Sequence, residues 1–441
     1  MRGGTTLRKA IFSPGAGFLL LAVFGLSAGM AYGETRTLTL REAVERALAA
    51  NGELNALRGD KDVARAGTVR ADLYPNPVLE LEGSTGGLTG SSGENSLSVG
   101  LSQELLTGGK RAKRLAAAER EAEAVHWQIA DRERLLALEV ATAHADLLLA
   151  EKRLELAKRA VELNGRLLAV ARERFAAGDI PELDVNLARV EALRSEGARI
   201  GAEREVWPVR GRLLTLLGLP PGDEARFGDA PAPPPLAPDA AELTRRALEN
   251  RPDLRALESA RAASEAQLDL AGAEGVPNVT AGLFYSHERS LDATDSGDEK
   301  SRDNIVGIRL SIPLPFFDRN QAGVREARAK KGSAEVRLAQ ARAAIAREVE
   351  AAAAAAAASE KALALYASEI LPQLEENLKL VQEAYQLGEV GILSVIEEQK
   401  KYTEVHDGYL AALAERQGAL ARLEAAAGVD FQNNRTSGGA Q

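Results

Sequence analysis

Arg174 to Val185 reads RFAAGDIPELDV, and Ala384 to Val395 reads AYQLGEVGILSV. At a constant offset of 210 positions, Phe175 falls on Tyr385, Gly178 on Gly388 and Asp179 on Glu389. Ile180 then falls on Val390, Leu183 on Leu393 and Val185 on Val395. Each stretch sits between two long segments whose apolar residues recur with helical spacing. Glycine best tolerates the positive φ of a sharp helix-to-helix turn, so each stretch reads as the tip of a helical hairpin. The expectation is two long hairpins whose tips, brought together, form the narrow end of a tube.

Upstream of the first turn, one helical pattern runs from Lys110 to Ala177, roughly 68 residues and about 100 Å long. Val140, Leu147, Leu154, Val161, Leu168 and Phe175 recur every seven positions, with Ala143, Ala150, Ala157, Asn164, Ala171 and Gly178 three residues after them. This predicts a seam of large residues facing mostly small ones. The return helix carries Leu193, Ile200, Trp207 and Leu214 at the same spacing, with a kink expected at Pro208. A second helix of similar length spans Asn320 to Leu387, with a bend expected at Pro372 and Leu371, Leu378 and Tyr385 in heptad phase. Its return ends near Gly428, the counterpart of Gly218.

The rest of the chain repeats as well. REAVERALAANGEL at 41–54 parallels AELTRRALENRPDL at 241–254, and Pro75-Asn76 parallels Pro277-Asn278. Helical spacing predicts helix over 39–73, broken at Asn51-Gly52. Leu79 and Leu81, then Leu97, Val99 and Leu101, alternate with small or polar residues. Val279, Ala281, Leu283 and Tyr285, then Val306, Ile308, Leu310 and Ile312, do the same. These predict strands at about 78–84, 96–105, 278–286 and 304–313, with an acidic loop over 287–303. The domain reading is a first repeat at 34–219, a Pro-rich linker at 220–238, a second repeat at 239–429 and a disordered polar tail at 430–441. Within the repeats the helical hairpins occupy about 110–219 and 320–428.

Arg2, Arg8 and Lys9 precede an apolar run at Gly17–Ala28, too short to span a bilayer comfortably. Residues 1–33 therefore read as a cleavable signal peptide, cut after Gly33 or after Ala31. The absence of cysteine excludes disulfides, thiolate chemistry and a cysteine-linked lipid anchor. A net charge of −9 argues against nucleic acid as a partner. His126, His144, His287 and His406 are scattered without metal-ligand spacing, and no phosphate-binding loop or nucleophile motif occurs. The reading is therefore not an enzyme, with no catalytic residues, no cofactor and no structural metal. His287, Glu288, Asp292, Asp295, Asp298 and Glu299 fall in the acidic loop, which reads as hydrated surface.

Four strands cannot close a barrel, and an open sheet edge is not viable inside a bilayer. Nor can four helical columns about 100 Å long bury their flanks alone. Both observations demand a closed assembly of several copies, and the arithmetic allows eight strands from two chains or twelve from three.

At this point the residues resemble a known family, the TolC-like outer-membrane efflux proteins, and within it the heavy-metal, CzcC-like branch. The resemblance runs from about Leu38 to Gly428. YPNP at 74–77, LSQELLTGGKR at 101–111, IPLPFFDRNQAGVREARA at 312–329 and the two tips carry it. It implies a mainly α fold with a small β part. A homotrimer would form a 12-stranded outer-membrane β-barrel continuous with a periplasmic α-helical tunnel. It also implies a passive exit duct for heavy-metal cations, partnered by a periplasmic adaptor (membrane fusion protein) and an inner-membrane RND pump. Drug efflux and type I secretion are the alternative duties of such a duct. A soluble coiled-coil adaptor is a further alternative, but adaptors normally carry a single hairpin.

By position, the resemblance carries the aperture onto Leu183 and Asp184 at the first tip and Tyr385, Val390, Ser394 and Glu397 at the second, beside the turn residues Gly178 and Gly388. Better-known members have a basic residue at the Val390 position and an acidic one at the Ser394 position. This chain departs at both, which implies a more apolar closure. Presented by three copies, Glu397 and Asp184 would form acidic rings that favour cations; the plainer alternative for each is a solvated helix face.

Overall fold

The computed structural model describes residues 37–429, apart from 89, 91–92, 224, 229–238 and 295–296. The signal peptide, most of the linker and the tail fall outside the described residues. The first half comprises β1 (Thr37–Leu38), α1 (Leu40–Ala50), α2 (Gly52–Asp72), β2 (Val78–Thr85), β3 (Asn95–Leu105), α3 (Lys110–Ala176) and α4 (Glu182–Leu216). The second comprises β4 (Arg226–Phe227), α5 (Ala240–Asn250), α6 (Pro252–Glu274), β5 (Val279–Thr294), β6 (Gly297–Ser311), α7 (Gln321–Leu365), α8 (Leu371–Leu387) and α9 (Ile392–Ala427). Between α7 and α8 the helix passes through one π turn, Tyr366–Ile370, just before Pro372. α4, in contrast, continues through Pro208.

Local signals explain the helix starts. Thr39 accepts from the Glu42 amide while the Glu42 carboxylate accepts from the Thr39 amide, a reciprocal cap. Asn51 accepts from the Leu54 amide at 2.9 Å to start α2. Its side-chain amide also donates to the Leu216 carbonyl at the end of α4. Arg251, 200 positions later, donates in the same way to the Ala426 carbonyl at the end of α9. In each half, then, the junction of the short helices closes the far end of the return helix. Around these junctions lie two separate cores. One gathers Ala43, Leu54, Leu136, Val140 and Leu213, and the other gathers Ala247, Leu254, Ile345, Val349 and Leu423.

β2, β3, β5 and β6 form one antiparallel sheet in that order. Its register aligns Leu79, Leu101, Leu283 and Ile308 in one row and Leu81, Val99, Tyr285 and Val306 in the next. All eight side chains are exposed, so one face of the sheet is an apolar band. The opposite face is mixed, with Glu80, Ser98, Ser102 and Arg309 beside Val78, Phe284 and Ile305. There Arg309 on one edge strand reaches Glu80 on the other at 2.8 Å, with Ser102 also donating to Glu80. In a flat sheet, strands about 4.8 Å apart would put those edges roughly 14 Å from each other, so the sheet curls toward the Glu80–Arg309 face. The outer edges of β2 and β6 have no partner within the described chain.

Three expectations need correction. The segment 287–303 is not simply a loop: β5 and β6 stay paired as far as Thr294 and Gly297, and β6 ends at Ser311 rather than 313. The segment's sequence lacks the clean apolar alternation that would have revealed the ladder. Part of the linker is also structured. Arg226 and Phe227 pair in parallel with Thr37 and Leu38, and Phe227 is buried edge-on to His144. Finally, the heptad residues of α3 do not stay on one buried seam. Val140 and Leu147 are buried, but Phe175 is 46% exposed. A straight α-helix drifts about 20° per heptad, so five heptads carry the stripe about 100° round the helix. By the tip, Leu167 and Ala171 have taken over the buried face. Leu193, Ile200 and Trp207 on α4 are exposed and find no cover among the described residues.

Candidate functional site

The two turns close identically. The Asp179 amide donates to the Arg174 carbonyl at 2.9 Å and the Gly178 amide to Phe175 at 3.0 Å. The Glu389 amide donates to Ala384 at 2.9 Å and the Gly388 amide to Tyr385 at 3.1 Å. Both glycines have φ +82°, as a left-handed C-terminal cap requires. The next helices also start alike: Asp184 and Ser394 occupy equivalent positions, their amides donating to the Pro181 and Gly391 carbonyls.

The tips lie side by side and share a small core. Leu167, Ala171, Val185 and Ala188 of the first hairpin meet Tyr385, Ile392, Val395 and Ile396 of the second, with Val390 packed at the edge. Of the sequence-predicted residues, the structure therefore brings Tyr385 and Val390 into the junction. Asp184 is partly buried, close enough to Tyr385 to disfavour its phenolate. Leu183, Ser394 and Glu397 stay on the surface, with Gly178 and Gly388 at the two extremities.

Aligned residues behave differently here. Phe175 points largely into solvent, whereas Tyr385 is only 3% exposed. Tyr385 is held by a residue that the sequence reading passed over, Arg174. The Arg174 guanidinium donates to the Tyr385 carbonyl at 2.7 Å and lies over the Tyr385 ring, 5.0 Å from its centroid. It thus places a cation against the last carbonyls of α8, where a helix terminus favours positive charge. The signal was present in the tip alignment, because Arg174 falls on Ala384, a charge on one tip with no counterpart on the other. Burial pushes the Tyr385 phenol up from its ordinary range. The Arg174 guanidinium beside the phenol works the other way, favouring its ionised form, but does not outweigh the burial.

Ion pairs tie the hairpins farther along. Arg153 on α3 grips Asp407 on α9 with two bonds of 2.6 and 3.0 Å. Glu191 on α4 meets Lys400 on α9 at 3.0 Å, and also Arg194. Burial acts to raise the Glu191 pKa, but the hydrogen bonds from Lys400 and Arg194 outweigh it, and the carboxyl is held below its ordinary value. Among the described residues, no group of three or more His, Asp or Glu side chains is placed to hold a metal ion. No described helix is long and apolar enough to cross a membrane.

Known proteins share the sequence pattern and the fold of this chain. The profile of the outer membrane efflux protein family matches residues 43–219 and again 243–429. The chain belongs to that family. Its members are passive channels, so this outer membrane efflux protein is not an enzyme. The cobalt-zinc-cadmium resistance protein CzcC of Cupriavidus metallidurans is 26% identical over 88% of the chain and 89% of CzcC. The nickel-cobalt-cadmium resistance protein NccC of Alcaligenes xylosoxydans is 28% identical over 62% of the chain and 60% of NccC. The Neisseria gonorrhoeae MtrE outer membrane channel, solved in an open state, superposes with a TM-score of 0.68. That likeness covers 88% of this chain and 89% of MtrE at 22% identity, so it speaks for the fold of this efflux protein.

Proposed function

We propose that the protein is the outer-membrane exit duct of a three-part export machine, assembled as a homotrimer. Each copy adds four strands to a 12-stranded barrel, and the helical hairpins of the three copies form a tunnel in the periplasm. The observation that carries this reading is incompleteness. The sheet has two unpaired edges and an exposed apolar face, and α4 exposes Leu193, Ile200 and Trp207. Inside a bilayer the edges must be closed, and copies arranged in a ring close edges and helix flanks together. The apolar band then faces lipid and the Glu80–Arg309 face lines the lumen. The signal peptide at residues 1–33 sends the chain to this location.

The tips are then the periplasmic aperture, formed by Gly178, Leu183, Asp184, Tyr385, Gly388, Val390, Ser394 and Glu397. A periplasmic adaptor docks there, and an inner-membrane RND pump supplies the energy that a passive duct lacks. Heavy-metal cations are the proposed cargo, supported by the likeness to CzcC, a cobalt-zinc-cadmium resistance protein, and NccC, a nickel-cobalt-cadmium resistance protein.

Membrane fractionation and cross-linking test the assembly: recovery of the mature protein as a soluble periplasmic monomer would overturn it. Deletion should sensitise cells to particular metals across a panel of zinc, cobalt, cadmium, copper and silver. Unchanged tolerance to all five, with sensitivity to drugs instead, would overturn the cargo.

A further inference from the structure

Val190, Leu193, Ile200 and Trp207 on α4 are each more than half exposed. Their spacings of three, seven and seven residues put them on one face of the helix, as in a coiled-coil seam. Single exposed apolar residues need no explanation, but a continuous stripe marks a surface that a partner buries.

The chain itself holds the template for that partner. Its two hairpins lie side by side across a cleft of about 800 Å³. α9 lines this cleft with Lys400, Thr403 and Asp407, and α3 with Arg153, Ala157 and Ala160. At the 210-residue offset that aligns the turns, Lys400, Thr403 and Asp407 become Val190, Leu193 and Gly197. The face by which the second hairpin meets the first is therefore, on the first hairpin, the uncovered stripe. The complementary face transfers too. Arg153 becomes Leu363 on α7, and Ala157 and Ala160 become Ala367 and Ile370 in the π turn. Ala367 is exposed, and Leu363 and Ile370 are half-buried.

Within the chain, Arg153 reaches Asp407 and Arg134 reaches Ala425, so the facing helices run antiparallel. On the same plan Gly197 stands opposite Leu363, and Trp207 stands opposite the alanine run at 351–358. Ala353 and Ala356 of that run belong to the chain's own core, whereas Ala351, Ala354, Ala355 and Ala358 are exposed and leave room for an indole. The two faces are different surfaces, so they join copies head to tail, the arrangement that closes into rings.

We propose that a second copy of this chain covers the α4 stripe with its α7, seating Trp207 on the alanine run and Val190 beside the π turn. This rests on reading the protein as a ring of copies, and it gives that ring two unlike joints. Inside each copy, Arg153 holds Asp407 at 2.6 and 3.0 Å, Glu191 meets Lys400 at 3.0 Å, and Arg174 holds the end of α8. The counterpart pairs are Leu363 with Gly197, Lys401 with Val190 and Ala384 with Phe175, none of which can form an ion pair. The joint within a copy is charged; the joint between copies is apolar.

The chain has no cysteine, so engineered pairs report without background. A side chain added at Gly197 meets nothing within 4 Å in its own copy. Full-length mature protein carrying Gly197→Cys and Leu363→Cys, treated in membranes with a short bis-maleimide, should give multi-copy bands. Their yield should exceed that of either single variant roughly tenfold or more. Links confined to one chain, or dimers from Gly197→Cys alone in equal yield, would overturn the proposal. Native mass spectrometry of the wild-type protein separates this seam from the ring reading. A multi-copy assembly whose paired cysteines do not link refutes the seam and leaves the ring standing, whereas a monomer refutes both. Trp127→Phe decides if the cysteine variants fail to assemble, because it leaves Trp207 as the sole tryptophan. Acrylamide should then quench the assembled protein about fivefold less than free N-acetyltryptophanamide, and equal quenching would refute the burial of Trp207.

Discussion

Arg174→Ala should loosen the second tip while leaving the first intact. The side chain makes one charge-assisted hydrogen bond, 2.7 Å to the Tyr385 carbonyl, and one ring contact at 5.0 Å. Bonds to charged groups contribute about 1.5–3 kcal/mol when well shielded, and cation–π contacts about 0.5–1 kcal/mol near a surface. Arg174 is only partly buried, so solvent screening pulls the sum toward its lower end, about 2 kcal/mol. That is roughly a 30-fold change in a local opening equilibrium. Hydrogen exchange of the amides at the end of α8 should therefore accelerate by about that factor. Exchange at the Phe175–Asp179 turn, whose bonds are internal, should change little. Arg174→Lys should recover only part of the protection, because an ammonium lacks the planar fork and stacks less well. If the tips are the aperture, single-channel recordings of the reconstituted variant should show more frequent opening. Unchanged exchange at Tyr385 to Glu389 would refute the assignment of Arg174 as the clasp, whatever the recordings show.

The other predictions concern neighbouring contacts. Gly178→Ala and Gly388→Ala each place a side chain at φ +82° and should each cost about 1–2 kcal/mol in thermal or denaturant unfolding. Gly388→Ala should cost more, because its new methyl meets Arg174 at 3.3 Å while a methyl at Gly178 meets nothing within 4 Å; equal losses would count against that contact. Glu191 has a depressed pKa in the folded protein, so the stability it lends is present above the unfolded carboxylate pKa. That stability should fade as acid takes the pH down through the folded value. Melting curves of Glu191→Gln and wild type should accordingly differ at neutral pH and converge in acid, and a constant difference would contradict the pairing with Lys400. Glu397→Gln should reduce cation selectivity of the reconstituted pore, and an unshifted reversal potential would remove Glu397 from the aperture.

Much of this fold was legible because its elements obey two simple periods. The strands declare themselves where one face is apolar, as with Leu97, Val99 and Leu101. They disappear from the sequence where both faces are polar, as beyond His287, because backbone pairing leaves no side-chain signature. Phe227 was hidden for a different reason: a two-residue strand is too short to show any period. At the tips, the alignment located the glycines and the turn geometry correctly, since those depend on local backbone alone. It could not reveal that Phe175 faces out while Tyr385 faces in, because that depends on which side the neighbouring hairpin occupies.

The unequal tips bear on how such an end could open. The two turns close with the same hydrogen bonds, although Pro181 fixes the backbone of the first where Gly391 leaves the second freer. They differ as well in the attachment of the helix leading into each turn. α3 reaches the first tip as one unbroken 67-residue helix, and its last large residue, Phe175, is 46% exposed. The second tip is reached by α8, only 17 residues long and separated from α7 by a π turn beside Pro372. Its end is fixed by Tyr385, gripped from outside by Arg174. A π turn disturbs the regular helical ladder, so bending there costs less than bending within α3. Displacing the second tip therefore requires releasing a few named contacts at its end, with a weak point in the helix already behind it. Displacing the first requires bending a continuous helix. If the tips form an aperture, α8 is the element whose release sets the threshold, and Arg174 and Tyr385 are the residues that hold it.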